Sequence, residues 1–547
     1  MLKWTCIFAA VSAIAPGPIL LDDITPKSNI AFVHHSSATS QKYLPESMTG
    51  GVGMIDYDVD GKLDLFFVNG AQLQDPNPPG KAPDKTAAKF WNRLYRNNGN
   101  GTFTDVTERA GLKGSGYDMG VAVADYDNDG HPDLYVTGLN RNVLYHNNGD
   151  GTFTDVSSQA GVGGAGWSAG ALFIDYDRDG RLDLFVARYL QWDFSINPFC
   201  GEHKTGYRAY CHPDQFRPIT HLLFHNEGNG RFRDVSKESG IADHPGKGLG
   251  VSLGDYDRDG WPDIFVANDA VPQQLFHNLR NGTFEEVAVP AGAAYDSDGR
   301  SFSGMGTDFA DYDNDGWPDI FVNALATQRY ALFHNVRGAF DYVSDLSGIG
   351  RASMLHSGWG TKFVDLDNDG WKDLFVGQSH VMDNIQLSLP QVRYLEPPLI
   401  LQNQNGRFVD VSAGAGPALL RAIAARGVAF GDLDNDGRID VVINRNNEPP
   451  LILRNRSVPR HWLLIHTTGR ASNRDGIGAQ ARITLDTGQQ YATASPAGSY
   501  LSSNDKRIHF GLGEIRTIKQ FEITWPSGTV QRLNNVAADQ ILRITEP

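Results

Sequence analysis

Asp56-Tyr57-Asp58-Val59-Asp60-Gly61-Lys62-Leu63-Asp64 is the stretch on which the reading of this chain turns. Acids stand at positions one, three, five and nine, and glycine stands at six. Short carboxylates at alternate positions of a tight loop converge on one point, and glycine permits a turn that a branched residue resists. Such a set, with a backbone carbonyl at position seven, offers only oxygen. That suits a hard cation, calcium above zinc or copper, and magnesium less because it keeps its water.

The pattern D-x-D-x-D-G-x-x-D occurs seven times. The candidate calcium ligands are Asp56, Asp58, Asp60 and Asp64, then Asp125, Asp127, Asp129 and Asp133, and then Asp175, Asp177, Asp179 and Asp183. The fourth and fifth loops supply Asp255, Asp257, Asp259 and Asp263, and Asp311, Asp313, Asp315 and Asp319. The last two supply Asp365, Asp367, Asp369 and Asp373, and Asp432, Asp434, Asp436 and Asp440. An EF-hand loop ends in Glu at position twelve and sits between helices. Here position twelve is Phe67, Val136, Val186, Val266, Val322, Val376 or Ile443, inside β-favouring runs such as Leu65-Phe66-Phe67-Val68. Each loop therefore joins two strands.

The repeat is larger than its loop. A glycine stands five residues ahead of each first Asp: Gly51, Gly120, Gly170, Gly250, Gly306, Gly360 and Gly427. Glycine inside a strand marks close approach of backbones, as strands converging on an axis require. A third strand follows, ending in Asn97, Asn147, Asn226, Asn278, Asn335, Asn403 and Asn455, and six units continue through a Gly turn into a fourth. Four strands per unit at this period predict a seven-bladed β-propeller over residues 21–457. The seventh unit lacks a fourth strand, and Leu21-Asp22-Asp23-Ile24-Thr25 matches the missing piece. The N-terminal strand is expected to close the ring and leave no open edge.

Sixty Gly and 27 Pro among 547 residues suit a turn-rich all-β protein. The formal charge of −16 argues against nucleic acid and anionic membrane surfaces as partners. The seven loops hold 28 of the 64 acids, and seven divalent ions would bring the total to −2. The acidity therefore reads mostly as ligand capacity. Residues 1–17 read as a secretory signal peptide, and no other stretch is long and apolar enough to span a bilayer. Its removal takes Cys6 and leaves Cys200 and Cys211, read as a disulfide, with free buried thiols as the alternative.

Three units are lengthened between their second and third strands, at 71–91, 188–219 and 378–397. These insertions are expected on the face opposite the acidic loops. The second is rich in aromatics and His, including Trp192 and Tyr207, which makes it the candidate binding surface. From residue 458 the repeat gives way to short alternating runs, Trp462–His466, Ala479–Thr484, Gln490–Thr493, Arg507–Phe510, Phe521–Trp525 and Ile541–Ile544. They predict a small β-sandwich-like domain over 458–547.

With these residues in view, the seven loops and their strands resemble the FG-GAP or VCBS repeats of integrin α-chain propellers. The tail, with Ser472-Asn473-Arg474-Asp475-Gly476-Ile477-Gly478 and Trp525-Pro526-Ser527-Gly528, resembles an ASPIC/UnbV domain. The combination is similar to the cartilage acidic protein family and its bacterial relatives. The resemblance implies a secreted calcium-binding protein, with the first, third, fifth and ninth Asp of each loop as ligands. It does not name a partner, and the chain has no Arg-Gly-Asp sequence.

Two motifs are decoys. Gly166-Trp167-Ser168-Ala169-Gly170 fits a nucleophile elbow but enters a strand, and Asp296-Ser297-Asp298-Gly299 begins a calcium loop without completing one. Asn100, Asn281 and Asn455 fit glycosylation sequons, the first two also suiting hairpin turns. The resulting expectation is a non-catalytic, secreted or periplasmic module that binds an extracellular glycan or protein. The alternatives are a polysaccharide-active enzyme and a scaffold subunit of an envelope complex.

Overall fold

The computed structural model describes residues 18–547, so the expected signal peptide and Cys6 lie outside the described residues. Among those described, seven four-stranded antiparallel sheets lie between Leu21 and Asn455. The first is built from Val52–Ile55, Asp64–Phe67, Arg93–Asn97 and Phe103–Asp105. In the last, Ala425–Gly431, Asp440–Arg445 and Leu451–Asn455 are completed by Leu21–Asp23 from the other end of the chain, Leu21 pairing with Asn455. Each acidic loop is the turn between first and second strands, as expected.

The innermost strands touch in sequence around the molecule and return, Ala425–Gly431 meeting Val52–Ile55. Side chains of a second strand, such as Leu65, Phe66 and Phe67, are fully buried on both faces. Neighbouring sheets cover them, which is why these strands read as unbroken apolar runs. This is a β-propeller.

The third-strand asparagines staple the ring. Asn147 Nδ2 donates to the Pro132 carbonyl of its own loop and, at 2.9 Å, to the Tyr57 carbonyl in the preceding sheet. Asn226, Asn278, Asn335, Asn403 and Asn455 repeat the pair. Asn97 closes the circle by donating to Leu433 of the last sheet at 2.8 Å. Asn455 is fully buried in this role and is no acceptor for a glycan in the folded chain.

Residues beyond 458 form two packed sheets. His461–Thr468 lies between Ile508–Gly513 and, in parallel, Gln540–Thr545; the other sheet runs Gln489–Thr493, Gln480–Thr484, Thr517–Thr524, Val530–Ala537. The sandwich-like expectation holds, with one strand added. Val530–Ala537 escapes a periodicity reading because it is a polar edge strand, mostly exposed.

The segment between Gln489–Thr493 and Ile508–Gly513 leaves this domain and enters the propeller's centre. Ser499 N donates to Thr307 O at 2.7 Å, Val121 N to Leu501 O at 3.0 Å, and Met54 N to Ser503 O at 3.0 Å. Asp505 N reaches Phe430 O at 2.9 Å, and Thr361 N donates to Ser499 Oγ at 3.1 Å. Tyr500, fully buried, packs edge-on against Trp359 and donates its hydroxyl to Met48 O at 2.7 Å. The glycine expectation is thereby enlarged. A Cβ on Gly51 would meet Gly120 Cα at 2.8 Å as well as the Leu501 carbonyl, and one on Gly120 would lie 3.0 Å from Leu501 Cβ. The glycines admit this central strap as well as the neighbouring strand.

The insertions meet one another at the other end of the strands. Asn384 of the third donates to the Gly206 and Arg208 carbonyls of the second at 3.0 Å, and Lys42, from the segment ahead of Val52–Ile55, pairs with Asp383 at 2.5 Å. Cys200 and Cys211 are disulfide-bonded, closing a hairpin of Cys200–Gly201 against Arg208–Ala209. Trp192 is not a surface residue as expected. It is 4 % exposed and packed against Trp167, Tyr43 and Phe194, so its size serves the core beneath the strap. The exposed aromatic is Phe199, stacked on His203 at 4.1 Å, with half-buried Tyr207 beside it in the hairpin.

Candidate metal centres

Each acidic loop is held by its own carboxylates. Asp56 accepts from Asp60 N and Gly61 N at 2.9 and 3.0 Å, and Asp60 accepts from Lys62 N at 3.0 Å. The ninth Asp is buried, and both its oxygens are used: in the first loop Asn97 N donates to Asp64 at 2.7 Å and Tyr57 N at 3.2 Å. Asp133, Asp183, Asp263, Asp319, Asp373 and Asp440 make the same pair of contacts. The residue at position four is left-handed in every loop; four of these are Asn, which tolerates that conformation.

Not every carboxylate oxygen is satisfied. Asp175 Oδ1, Asp311 Oδ1 and Asp367 Oδ1 belong to buried residues and have no donor, and the same orphaned oxygen recurs on Asp58, Asp177 and Asp434. A buried oxygen without a donor is costly, and several in one loop repel each other. Burial raises Asp64 and Asp133 to about 8 and Asp183, Asp263 and Asp319 to about 7, while Asp365, Asp373 and Asp440 also move up. An oxygen-seeking divalent cation matches this donor set and removes the penalty.

The motif did not include the residue just before each stapling Asn, yet that side chain points at the loop. His146, His225, His277 and His334 face the third and ninth Asp: His334 Nδ1 lies 3.0 Å from Asp319 and 3.5 Å from Asp313. The Asp319 carboxylate lifts His334 to about 9. Asp127, Asp129 and His146 form one of several Asp/His groups close enough to hold a metal ion. The recurring His in the third-strand pattern was the available signal.

The C-terminal domain covers the loop face. Gln480 donates to Asp255 at 2.7 Å, Asp475 accepts from Asp125 N at 2.8 Å, and Arg507 donates to Asp432 O at 3.0 Å. Two cavities of about 190 and 200 Å³ remain between them, lined by groups such as Asp308, Lys362 and His509 in one and Lys62, His466 and Arg543 in the other. Ser168 lies 1 % exposed within the strand Ser168–Ile174, not on an elbow, and Asp296 closes an exposed turn by accepting from Asp298 N and Arg300 N.

The FG-GAP-like repeat model matches residues 56–136, 126–186, 221–266, 255–322 and 391–443, and the ASPIC and UnbV model matches 469–547. The chain belongs to the FG-GAP repeat family. Human cartilage acidic protein 1 is 27% identical over 325 residues, covering 57% of this chain and 46% of that protein. The chain thus spans about half the length of the curated relatives it matches. Among solved structures, an Agrocybe aegerita lectin that recognises non-reducing terminal N-acetylglucosamine aligns with a TM-score of 0.39 at 16% identity, over 66% of this chain and 80% of that one. The Bacillus licheniformis rhamnogalacturonan lyase PL11 aligns with a TM-score of 0.35 at 12% identity, over 74% and 71%. Among the described residues of this FG-GAP protein, no helix is long and apolar enough to cross a membrane.

Proposed function

We propose that this protein is an exported, calcium-stabilised propeller that binds a glycan or protein partner through its insertion-bearing face, without catalysis. The observation that carries the calcium reading is the set of orphaned, buried carboxylate oxygens at Asp175, Asp311 and Asp367, repeated in loops of one design. Calcium would be held by the first, third, fifth and ninth Asp with the carbonyl at seven. It would supply charge neutralisation and cross-linking of each loop. The disulfide supports an oxidising, secreted or periplasmic setting. Phe199, His203, Tyr207 and Arg208 are among the accessible groups of the second insertion, able to stack on a sugar face and to hydrogen-bond its hydroxyls.

The test is binding of the purified chain to arrayed glycans and matrix proteins, with millimolar calcium and again with chelator. Selective capture in calcium, lost with chelator and weakened by Phe199→Ala together with Tyr207→Ala, is expected. A folded, calcium-loaded protein that captures nothing would count against the binding role.

A further inference from the structure

Lys85 is a buried lysine that belongs to none of the sites described above. It stands in the first insertion, beside Gln72 and Asp84, which pair backbone to backbone at 2.7 and 3.0 Å. Its Nζ donates to Asp118 Oδ2 at 2.8 Å and to the Asn69 carbonyl at 2.6 Å. The same Asp118 oxygen accepts from Asn92 Nδ2 at 2.8 Å, and the side-chain carbonyl of Asn92 accepts from Asn69 N at 2.9 Å. Asn92 and Asp118 are buried as well. One carboxylate oxygen thus bridges an amine and a carboxamide, and a backbone N–H holds the carboxamide oxygen.

Part of this arrangement belongs to the repeat. In the next unit Asn142 takes the place of Asn92, with Gly138 N donating to its Oδ1 at 3.2 Å and its Nδ2 left without an acceptor. Ser168 stands there in the position of Asp118. The asparagine alone serves the turn, so Lys85 and Asp118 are additions that the frame does not require. A buried ion pair by itself is a poor source of stability, because desolvation offsets the attraction. Burial pushes the Lys85 amine down and the Asp118 carboxyl up, the direction in which the proton passes from nitrogen to oxygen. A desolvated, neutral lysine is a nucleophile.

We propose that Lys85 and Asn92 join in an intramolecular isopeptide bond, with Asp118 as the proton carrier. Lys85 Nζ attacks Asn92 Cγ, and the Asn69 N–H stabilises the charge that develops on Oδ1. One proton of the attacking nitrogen reaches Nδ2 by way of Asp118, the Cγ–Nδ2 bond breaks, and Nδ2 leaves as ammonia. The Nζ–Cγ amide takes its place. Nothing is oxidised or reduced, and no co-reactant is consumed. Fixed proximity inside the fold supplies the acceleration that a free lysine and asparagine lack. The bond clamps the end of the first insertion to the entry of the strand Arg93–Asn97, much as the disulfide closes the hairpin of the second.

The test is a tryptic digest of the purified full chain after denaturation and reduction. Trypsin cuts after Lys81, Lys89 and Arg93, and an amidated Lys85 resists it. Peptides 82–89 and 90–93 are therefore expected as one branched species, lighter than the two together by one ammonia, with tandem mass spectrometry placing the link between Lys85 and Asn92. Lys85→Arg and Asp118→Asn should each release 90–93 as a free peptide of full mass; the unaltered chain decides the matter even where a variant fails to fold. Free 82–85, 86–89 and 90–93 at full mass from that chain would overturn the proposal and leave Lys85 and Asp118 as a buried ion pair. So would a free 90–93 short of one ammonia, the mark of an Asn92 cyclised on its own backbone. A link that persists in Asp118→Asn would remove Asp118 from the reaction.

Discussion

Val59 holds position four of the first loop with φ of 54°, where a β-branched residue is strained. At the same position Asn128, Asn314, Asn368 and Asn435 each donate to the sixth-position glycine carbonyl of the next sheet. Val59→Asn would relieve the strain and reach toward Gly130 O, so a gain of about 1 kcal/mol in chemical denaturation is expected. The buried acids give a pH prediction of definite sign. Asp64, at about 8 in the fold, binds its proton more tightly folded than unfolded. Its contribution is therefore present below the unfolded pKa of about 4 and is lost as pH rises toward 8. Asp133, Asp183, Asp263 and Asp319 act in the same direction. In chelator, the melting temperature should fall between pH 5 and pH 8 by at least about 5 °C. Bound calcium would take the proton's place, so saturating calcium should flatten that slope; an equal slope in both conditions would sink the assignment.

The strap from Ala494 to Arg507 is the element on which the centre of the ring depends. Its backbone pairs with the innermost strands, and its two largest apolar side chains, Tyr500 and Leu501, are buried with Trp359 and Met48. Tyr500→Ala would leave a cavity and an unpaired Met48 carbonyl, at a cost of about 3–5 kcal/mol by urea unfolding. Gly120→Val would drive a branched side chain into Leu501 and into the neighbouring strand, and should yield little soluble protein at 37 °C. A variant at Gly101, where nothing lies within 4 Å of a Cβ, is the control for glycine's backbone freedom alone.

The propeller and the C-terminal domain share one interior, since Tyr500 and Leu501 of the second belong to a cluster with Trp167, Trp192 and Trp359 of the first. They should melt together. Differential scanning calorimetry of the whole chain in calcium is expected to give one transition, and a chain ending at Arg456 should lose that transition or melt at least about 10 °C lower. Two separate transitions in the whole chain would contradict the shared interior. Calcium at ten times its dissociation constant adds about 1.4 kcal/mol per site. Several such sites together would therefore be comparable to the net stability of a domain.

Seven loops, their flanking strands, the closure by Leu21–Asp23 and all but one strand of the tail could be read from sequence alone. The reason is that turn chemistry and strand alternation act over a few residues and repeat at fixed spacing. Trp192 shows where that reading stops, because a large aromatic in an insertion carries the same letters whether it faces a partner or a core. The strap, the coverage of the acidic loops by the C-terminal domain, and the placement of His and Arg side chains beside the third-position acids were decided by tertiary structure. Thr307 meets Ser499, and Asp58 meets Arg96, across 192 and 38 residues of chain. Such contacts depend on how a closed ring brings distant segments together, and no local pattern encodes that distance.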